Sequence, residues 1–411
     1  MEQKLCFLFF FLFSLLTSSL VAVDSRRIPA NITHTFNVKK FGARGNGRTD
    51  DSKAFIEAWR AACGSYGAVR LEIPSGTYFV GPLKFNGPCT NVSSITVQLQ
   101  GTLKATTDLN KFKNPHWVEF GWVNGLIVTG GIFDGQGAVS WPFNKCPKQM
   151  HCKVLPTNIL FVNTTNTVAA GITSINSKFF HIAILSCTNF KGSNIKIRAP
   201  KNSPNTDGIH LEHNSVVTLS HLTIGTGDDC VSIGQGNSDV TLTKIKCGPG
   251  HGISVGSLGR YKDEGDVRGV LVRDCTLTGT TNGVRIKTWQ NSPSPSTASN
   301  FTFDNILMND VDNPIIIDQH YCPYSKCDSS APSRVKIRDI KFRNIRGTTM
   351  NPEAVSLLCS QGMPCKDVTL QDVSLKYVGE GGGVGATTIL NSKCFNVKPT
   401  FSGTQYPPPC R

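Results

Sequence analysis

The fold of this chain is decided by a short segment, DVTLTKI at residues 239–245, which returns further along the sequence. The later copies are RGVLVRD at 268–274, NFTFDNI at 300–306, RVKIRDI at 334–340 and KDVTLQD at 366–372. The spacings are 30, 31, 34 and 33 residues when the copies are aligned on Val240, Val270, Phe301, Val335 and Val368. Each segment alternates apolar and polar residues, which is typical of a strand with one buried face.

A strand-only repeat of this length indicates a solenoid. A single unit cannot bury its apolar face, whereas stacked units bury one continuous core. We therefore predict an all-β chain that forms a single right-handed parallel β-helix. The alternative, a β-sandwich of antiparallel hairpins, is disfavoured because two-residue hairpin turns are scarce in this sequence.

One short amphipathic helix is predicted ahead of the repeats, ending at about Cys63. Its candidate cap residues are Thr49, Asp50 and Asp51. Its apolar face contains Phe55, Ile56, Trp59 and Ala62. We expect this helix to cover the open N-terminal end of the β-helix, where strand edges would otherwise be exposed.

Residues 1–22 are predicted to be a secretory signal peptide. An apolar run, Leu5 to Leu16, is followed by small residues up to a cleavage site near Ala22. The run is shorter than the roughly 20 residues of a membrane span, so no membrane association is expected after cleavage. A retained signal anchor is the alternative. Residues 23–411 are predicted to form one domain, because no linker divides them.

The chain carries a net charge of +14, and removing residues 1–22 takes away one lysine and one glutamate. An exported protein with that excess is expected to bind a polyanion. Nucleic acid is disfavoured, since no basic stretch with interleaved aromatic residues is present. An acidic polysaccharide outside the cell or in the cell wall is the expected partner of a monomeric protein. A basic surface that serves only solubility or retention in the wall is the alternative.

Export is also supported by glycosylation sequons and by the cysteine count. The sequons begin at Asn31, Asn91, Asn163 and Asn300. One of the 15 cysteines, Cys6, lies in the signal peptide, which leaves an even number for an oxidising compartment. The cysteines do not have the spacing of a zinc site, and no metal or other cofactor is expected.

Four polar clusters follow one another at intervals close to one coil. They are NTDG at 205–208, GDDC at 227–230, GHG at 250–252 and RIK at 285–287. The intervals are 21 residues from Asp207 to Asp228, 22 from Asp229 to His251 and 34 from His251 to Arg285. Because equivalent residues of successive coils stack above one another, the clusters are predicted to form a ladder on one face.

The ladder has the chemistry that glycoside hydrolysis requires. Closely spaced carboxylates repel, so at least one pKa should rise, and a protonated carboxyl can act as general acid while its neighbours orient water. Arg285 and Lys287 lie on one face of a strand and can bind substrate carboxylates. The glycines beside His251 allow close backbone approach. Taken singly, each cluster also fits a turn or a solvated strand, and only their joint order favours an active site.

Adjacent Asp228 and Asp229 present a difficulty, because neighbouring residues of a regular strand point to opposite faces. They can share a cleft only at a bend. Gly227 is compatible with such a bend.

Together with SPNTDGIH at 203–210 and GTGDDC at 225–230, these clusters resemble the polygalacturonases of glycoside hydrolase family 28. The likeness extends from about Phe41 to Cys410. It implies a secreted, inverting, metal-independent hydrolase of the α-1,4-galacturonosidic bonds of polygalacturonic acid. GQGN at 234–237 and GPGHGISVGS at 248–257 are most like the plant pollen-type exopolygalacturonases. Release of galacturonate from chain ends is therefore expected, with endo action as the alternative.

The resemblance also implies residue roles. Asp228 would be the general acid, Asp207 and Asp229 would activate water, and His251 would lie beside the acid. The substrate would be bound by Asn205, Arg285, Lys287 and Tyr321. Two rival interpretations are a calcium-dependent pectate lyase and a wall-binding protein without catalysis. The acid-rich ladder and the presence of all three aspartates disfavour both.

Disulfides are predicted for Cys230–Cys247, Cys359–Cys365 and Cys394–Cys410, and the first would tie two coils of the active site together. Further candidate pairs are Cys63–Cys89, Cys146–Cys152 and Cys322–Cys327, which would leave Cys187 and Cys275 as buried thiols. Residues 141–157 are a candidate barrier across the substrate groove, stiffened by a Cys146–Cys152 bridge. The alternative is a surface loop far from the cleft.

Overall fold

A computed structural model describes residues 32–149, 151–379 and 389–410 of the chain. The predicted signal peptide and Asn31 lie outside these ranges. Asn91, Asn163 and Asn300 are exposed, as glycosylation requires. Within the described ranges, no helix combines the length and the apolar character needed to cross a membrane.

The helices are α1, Ser52–Cys63, and the short 3₁₀ turns Val38–Phe41, Leu109–Lys111, Gly137–Val139 and Trp141–Phe143. The strands are β1 His34–Asn37, β2 Asn46–Asp50, β3 Gly67–Ile73, β4 Thr77–Val80, β5 Leu83–Asn86, β6 Val92–Leu99, β7 Thr102–Ala105, β8 His116–Gly121, β9 Leu126–Thr129, β10 Ile132–Asp134, β11 Thr157–Val162, β12 Thr165–Ala170, β13 Thr173–Ile175, β14 Ile182–Leu185 and β15 Thr188–Ser193. They continue as β16 Lys196–Arg198, β17 Ile209–Glu212, β18 Ser215–Gly225, β19 Val231–Ile233, β20 Ser238–Cys247, β21 Ile253–Leu258, β22 Val267–Thr278, β23 Asn282–Trp289, β24 Ser296–Val311, β25 Asn313–Tyr321, β26 Val335–Thr349, β27 Glu353–Leu358, β28 Lys366–Tyr377, β29 Asn391–Phe395 and β30 Thr400–Tyr406.

Parallel pairing organises these strands into two sheets that enclose one core. The smaller sheet has 11 strands, which run in order from β5 through β17, β19, β21 and β23 to β29. The larger sheet has 19 strands and forms the remaining sides of each coil. A continuous apolar core fills the interior between them. The chain is thus the predicted single parallel β-helix, with the right-handed crossovers that parallel strands require.

The long strands of the larger sheet bend at residues in the left-handed region. Lys244, Asp274, Asn305, Asn344 and Asp372 stack in successive coils, and their φ angles lie between 52° and 58°. Asparagine and aspartate tolerate this conformation better than most residues with a side chain. The Asn305 amide also donates to the Asp274 carboxylate at 2.6 Å. The polar residues that recur near the end of each repeat segment therefore mark a corner of the coil.

The structure corrects the alignment of the fourth repeat. Phe301 pairs with Ile340, whereas Val335, which we aligned with Phe301, pairs with Ser296. The coil before β26 is lengthened by the surface segment 322–334. Asp339 has a φ of 55°, and the turn at this residue adds one extra outward-facing residue. Buried apolar residues therefore alternate with outward-facing ones both before and after the turn. Periodicity alone could not distinguish the two alignments.

The predicted helix is present and packs against the first coils. Phe55 meets the ring of Tyr78 edge-on at 5.3 Å, and Trp59 lies 5.1 Å from the ring of Phe85. Phe55, Trp59 and Ala62 are buried, and Ile56 packs partly buried against the same core. The helix therefore extends the core at the N-terminal end of the β-helix, where no further coil is described.

The cap of this helix is shared between two of the three candidate residues. The Asp50 carboxylate accepts the backbone N–H of Ser52 at 2.9 Å. Asp51 occupies the N-cap position, but its carboxylate accepts the backbone N–H groups of Arg44 and Gly45 at 2.8 and 3.0 Å. Asp51 therefore holds the preceding loop against the helix.

The six disulfides of the structure are the six candidate pairs, and Cys187 and Cys275 are buried free thiols. Cys230 and Cys247 are both buried, with a Cα–Cα distance of 5.9 Å. Their bridge joins the bend before β19 to the last residue of β20, immediately ahead of the GHG cluster.

We expect Cys230→Ala/Cys247→Ala to lower the free energy of unfolding by about 3 kcal/mol, because the bridge closes a loop of 17 residues. Urea denaturation measures this loss. The control is Cys146→Ala/Cys152→Ala, which opens a loop of only 6 residues and should have the smaller effect. Equal midpoints for wild type and the first variant would contradict the prediction.

Candidate active site

Three of the predicted catalytic residues form a column at the amino-terminal ends of neighbouring strands. Ile209, Val231 and Ile253 pair in register across β17, β19 and β21. Asp207, Asp229 and His251 each lie two residues before these positions, in successive coils. The stacking of coils therefore brings together residues that are distant in sequence, as the ladder predicted.

Arg285 occupies a different position from the one its interval suggested. It pairs with Ser254, three residues beyond His251, and Ser254 pairs in turn with Ser232. Arg285 therefore lies further along the sheet than the column of Asp207, Asp229 and His251. Its side chain still reaches Asp229, because an arginine is long enough to bridge that offset.

Asp228 and Asp229 share the cavity because the chain bends before β19. The bend depends on Gly227, where a Cβ atom would lie 2.1 Å from the carbonyl oxygen of Ser203. Gly250 allows a similar approach on the next coil, since its Cβ would lie 2.7 Å from the carbonyl oxygen of Asp228. The backbone N–H of His251 donates to that carbonyl at 2.8 Å. The bend that the adjacent aspartates require is thus present.

Asp229 is the most enclosed carboxylate and is paired with two cations. Its Oδ2 accepts from Lys287 Nζ at 2.8 Å, and its Oδ1 accepts from Arg285 Nη2 at 3.0 Å. The Ser254 hydroxyl also donates to Oδ1, at 2.9 Å. Burial alone would raise the pKa of Asp229, but Lys287 and Arg285 outweigh it and hold that pKa below its usual value. Asp229 is therefore an ionised carboxylate.

Asp207 behaves in the opposite way. Burial, followed by the charges of Asp228 and Asp229, raises the pKa of Asp207 well above its usual value. The rise in pKa that clustered carboxylates predict thus falls on Asp207. Asp207 therefore keeps its proton to a higher pH than an ordinary aspartate does.

Asp228 is the most exposed member of the trio. Its side chain is 19% exposed, compared with 2% for Asp229. Asp228 Oδ1 lies 3.1 Å from His251 Nδ1, and Asn205 Nδ2 donates to Oδ2 at 3.4 Å. The hydrogen bond with Asp228 raises the pKa of His251, although burial opposes it. Asp228 can therefore touch a bound substrate while His251 and Asn205 fix its orientation.

Asp228, Asp229 and His251 also satisfy the distance criterion for a metal site, since their candidate ligand atoms lie within 4.8 Å of one another. Two cationic side chains already occupy the oxygens of Asp229. A divalent cation at this position would be repelled by Lys287 and Arg285. The donor set is thus poorly suited to a resident metal.

A cavity of about 540 Å³ is lined by Asn205, Asp207, Asp228, Asp229 and Lys287, and two disulfide loops border it. Cys146 and Cys152 lie on the side of the earlier coils, and Tyr321 and Tyr324 lie on the side of the later ones. The Asn144 amide donates to Asn205 Oδ1 at 3.1 Å, which links the first loop to the site. Segment 141–157 therefore borders the cleft, and the alternative of a distant surface loop is wrong.

Tyr321 covers the cationic side of the site. Its ring centroid lies 5.2 Å from Lys287 Nζ and 5.9 Å from the Arg285 guanidinium carbon. Burial raises the pKa of its phenol, although Lys287 and Arg285 oppose that rise. Tyr321 therefore remains neutral and can offer a hydroxyl group to a ligand.

Several cavity residues were missed by the sequence reasoning. His210 and Ser232 share a register column with Ser254 and Arg285, and His210 Nδ1 lies 2.9 Å from the Ser232 hydroxyl. Further lining residues are Phe180, Glu212, Gln235, Arg260, Trp289 and Tyr324. Adding one coil length to the position of His210 would have identified Ser232 and Ser254. The aromatic residues carried no comparable signal, because they come from loops and strand ends.

Comparison with known proteins agrees with this architecture. The family model for glycosyl hydrolases family 28 matches residues 63–402. An exopolygalacturonase of Platanus acerifolia is 48% identical over 90% of this chain and 96% of its own. A polygalacturonase of Gossypium hirsutum is 44% identical over 91% of this chain and 89% of its own. An exopolygalacturonase structure from Thermotoga maritima shares the fold, with a TM-score of 0.73, 20% identity and coverage of 92% and 94%. The chain therefore belongs to family 28 of the glycosyl hydrolases, which makes it a glycosidase and not a lyase.

Proposed function

We propose that this glycosidase hydrolyses polygalacturonic acid and releases galacturonate from chain ends, with inversion at the anomeric carbon. The observation that carries this proposal is a bordered cavity lined by a carboxylate trio and Lys287, in which Asp229 is paired with both Lys287 and Arg285. The carboxylates supply acid–base chemistry, and the cations suit a sugar that carries its own carboxylate. The plant relatives, which are named exopolygalacturonase or polygalacturonase, support the same substrate.

Asp228 is the general acid in this proposal. It is the most exposed of the three carboxyl groups that line the cavity. A proton from Asp228 passes to the glycosidic oxygen as its bond to the anomeric carbon breaks. His251 is a positioning residue that holds Asp228 through the contact at 3.1 Å.

Asp229 and Asp207 orient and deprotonate the attacking water. Asp229 is ionised because two cations flank it, so it can accept a proton. The water adds to the anomeric carbon on the face opposite the leaving group, and its proton passes to the Asp207–Asp229 side of the trio. Asn205, Arg285, Lys287 and Tyr321 bind the galacturonate unit beside these groups.

The position of segment 141–157 supports exo action. The disulfide loop 146–152 borders the cavity on the side of the earlier coils, where Asn144 joins it to Asn205. A loop held in this position would stop the polymer from extending past the cleavage site. Closing the loop with a disulfide reduces the entropy lost by keeping it over the groove.

The proposal places the enzyme outside the cell, in contact with wall pectin. The apolar N-terminal segment, the sequons and the even number of cysteines after Ala22 support export. The net charge of +14 favours association with an acidic polysaccharide. Residues 23–411 would act as one domain and as a monomer.

Asp228→Asn is expected to lower kcat by about 10²–10⁴-fold, because an amide cannot deliver a proton to the leaving oxygen. Reducing-end release from polygalacturonate measures the loss. The matched control is Asp239→Asn, at an exposed bend of φ 57° that asparagine tolerates. A folded Asp228→Asn variant with near wild-type kcat would remove Asp228 from the mechanism.

Lys287→Gln is expected to move the acid limb of the pH–kcat profile to higher pH. Lys287 holds the pKa of Asp229 down, so without it Asp229 gains a proton at a higher pH as the solution is acidified. The exposed cation Lys262, changed to Gln, provides the control and should leave the limb in place. If Lys287→Gln lowers the maximal kcat but leaves the acid limb of the pH–kcat profile at its wild-type pH, Asp229 does not set that limb.

Replacing residues 146–152 with two glycines is expected to shift the early products from monogalacturonate to oligomers. The intact enzyme should release only the monomer early, while the viscosity of polygalacturonate falls slowly. Product sizes and viscosity are followed at equal numbers of cleaved bonds. A sharp fall in viscosity before monomer accumulates would show that the intact enzyme acts in endo fashion.

A further inference from the structure

One rim of the cavity is formed by the carboxyl-terminal ends of successive strands in the smaller sheet. Glu212 ends β17, Gln235 follows β19, Arg260 follows β21 and Trp289 ends β23. All four side chains line the cavity. Arg260 is the cation among them. The roles already assigned to Arg285 and Lys287 do not involve this rim.

The backbone around Arg260 is fixed by a buried carboxylate. Glu264 is 8% exposed and accepts three backbone N–H groups. These belong to Gly259 at 2.6 Å, Arg260 at 2.8 Å and Tyr261 at 2.7 Å. Hydrogen bonds to a carboxylate are about twice as strong as those between neutral groups. The loop that presents Arg260 is therefore ordered before any ligand binds.

The guanidinium of Arg260 is held against aromatic rings. Its central carbon lies 5.3 Å from the ring centroid of Trp289 and 5.2 Å from that of Tyr261. These cation–π contacts orient the group through the ring faces. A rigid, planar guanidinium at the edge of a cavity is well suited to bind a carboxylate.

A chain of aromatic contacts separates Arg260 from the first cationic site. Lys287 Nζ lies 5.2 Å from the Tyr321 ring, and the Tyr321 ring lies 5.6 Å from that of Trp289. Trp289 in turn contacts Arg260. The two cationic positions are thus distinct, and both border the same cavity. A polymer with a carboxylate on every sugar unit can engage both at once.

The rim has an acidic group two coils away from Arg260. Glu212 Oε1 accepts from Gln235 Nε2 at 3.0 Å, and Gln235 Oε1 accepts the N–H of Gly265 at 3.0 Å. The hydrogen bond with His210 lowers the pKa of Glu212, so this end of the rim is negative. A substrate carboxylate is therefore repelled near Glu212 and attracted toward Arg260.

From this geometry we infer that Arg260 is a specificity-determining residue that binds a second substrate carboxylate, on a sugar other than the one held by Arg285 and Lys287. The inference rests on the proposed function, because it takes polygalacturonate as the substrate. Glu264 acts as its positioning residue. A methyl ester at the bound sugar would remove the charge that Arg260 recognises, so this residue disfavours esterified pectin.

The test measures kcat and KM for trigalacturonate, and the inhibition constant of its fully methyl-esterified form. Arg260→Gln is expected to raise KM about tenfold, as the loss of a charged hydrogen bond requires, with kcat within about twofold of wild type. The inhibition constant of the ester should not change. Arg260→Lys should restore part of the affinity, and Glu264→Gln should raise KM in the same direction. Lys262→Gln, two residues away and exposed, is the matched control.

The outcomes separate this inference from the proposed function. A wild-type enzyme that does not cleave polygalacturonate would overturn the proposed function. An active wild type with an unchanged KM in Arg260→Gln would overturn only the role of Arg260. Equal weakening of the acid and the ester would also overturn it, since charge would then play no part. If the thermal midpoint shows that Arg260→Gln does not fold, Arg260→Lys decides. An Arg260→Lys variant that has the wild-type KM for the acid but a changed inhibition constant for the ester contradicts the inference.

Discussion

Parallel register between successive coils is the constraint on which the rest of this structure depends. Each coil hydrogen-bonds to the next, so residues at equivalent positions lie one strand spacing apart, at about 4.8 Å. Apolar positions stack into a continuous core, and left-handed corners such as Asp274 and Asn305 stack into polar ladders. The same register places Asp207, Asp229 and His251 in one column. A shift of one residue in a single coil would displace both core and site.

The candidate active site concentrates like charges that would separate in the absence of the fold. Lys287 and Arg285 compensate Asp229, and burial leaves Asp207 with a raised pKa. Two chemically identical side chains thereby acquire pKa shifts of opposite direction from their surroundings alone. The bend at Gly227 is the steric condition for this arrangement, because any side chain there would collide with Ser203.

Loops convert a general polysaccharide groove into a bordered cavity. The repeating coils supply the carboxylates and the cations, whereas the disulfide loops at 146–152 and 322–327 supply the borders. Loops tolerate change because the core does not depend on them. Substrate preference within one fold can therefore change while the column of Asp207, Asp229 and His251 stays fixed. Arg260 and Glu264 belong to this adaptable part of the molecule.

The sequence by itself determined the parallel β-helix, the helix ending at Cys63 and the residues that make up the polar clusters. These features could be predicted because strand alternation and coil spacing are local or periodic properties of the sequence. The sequence could not assign Val335 to its position in the coil. Because of the turn at Asp339, the alternation of apolar residues fits two alignments of this repeat with the one before it. The offset of Arg285 from His251 and the rim formed by Arg260 and Trp289 were decided only by tertiary structure. These features depend on coil lengths and loop paths, which the residue pattern of any one coil does not contain.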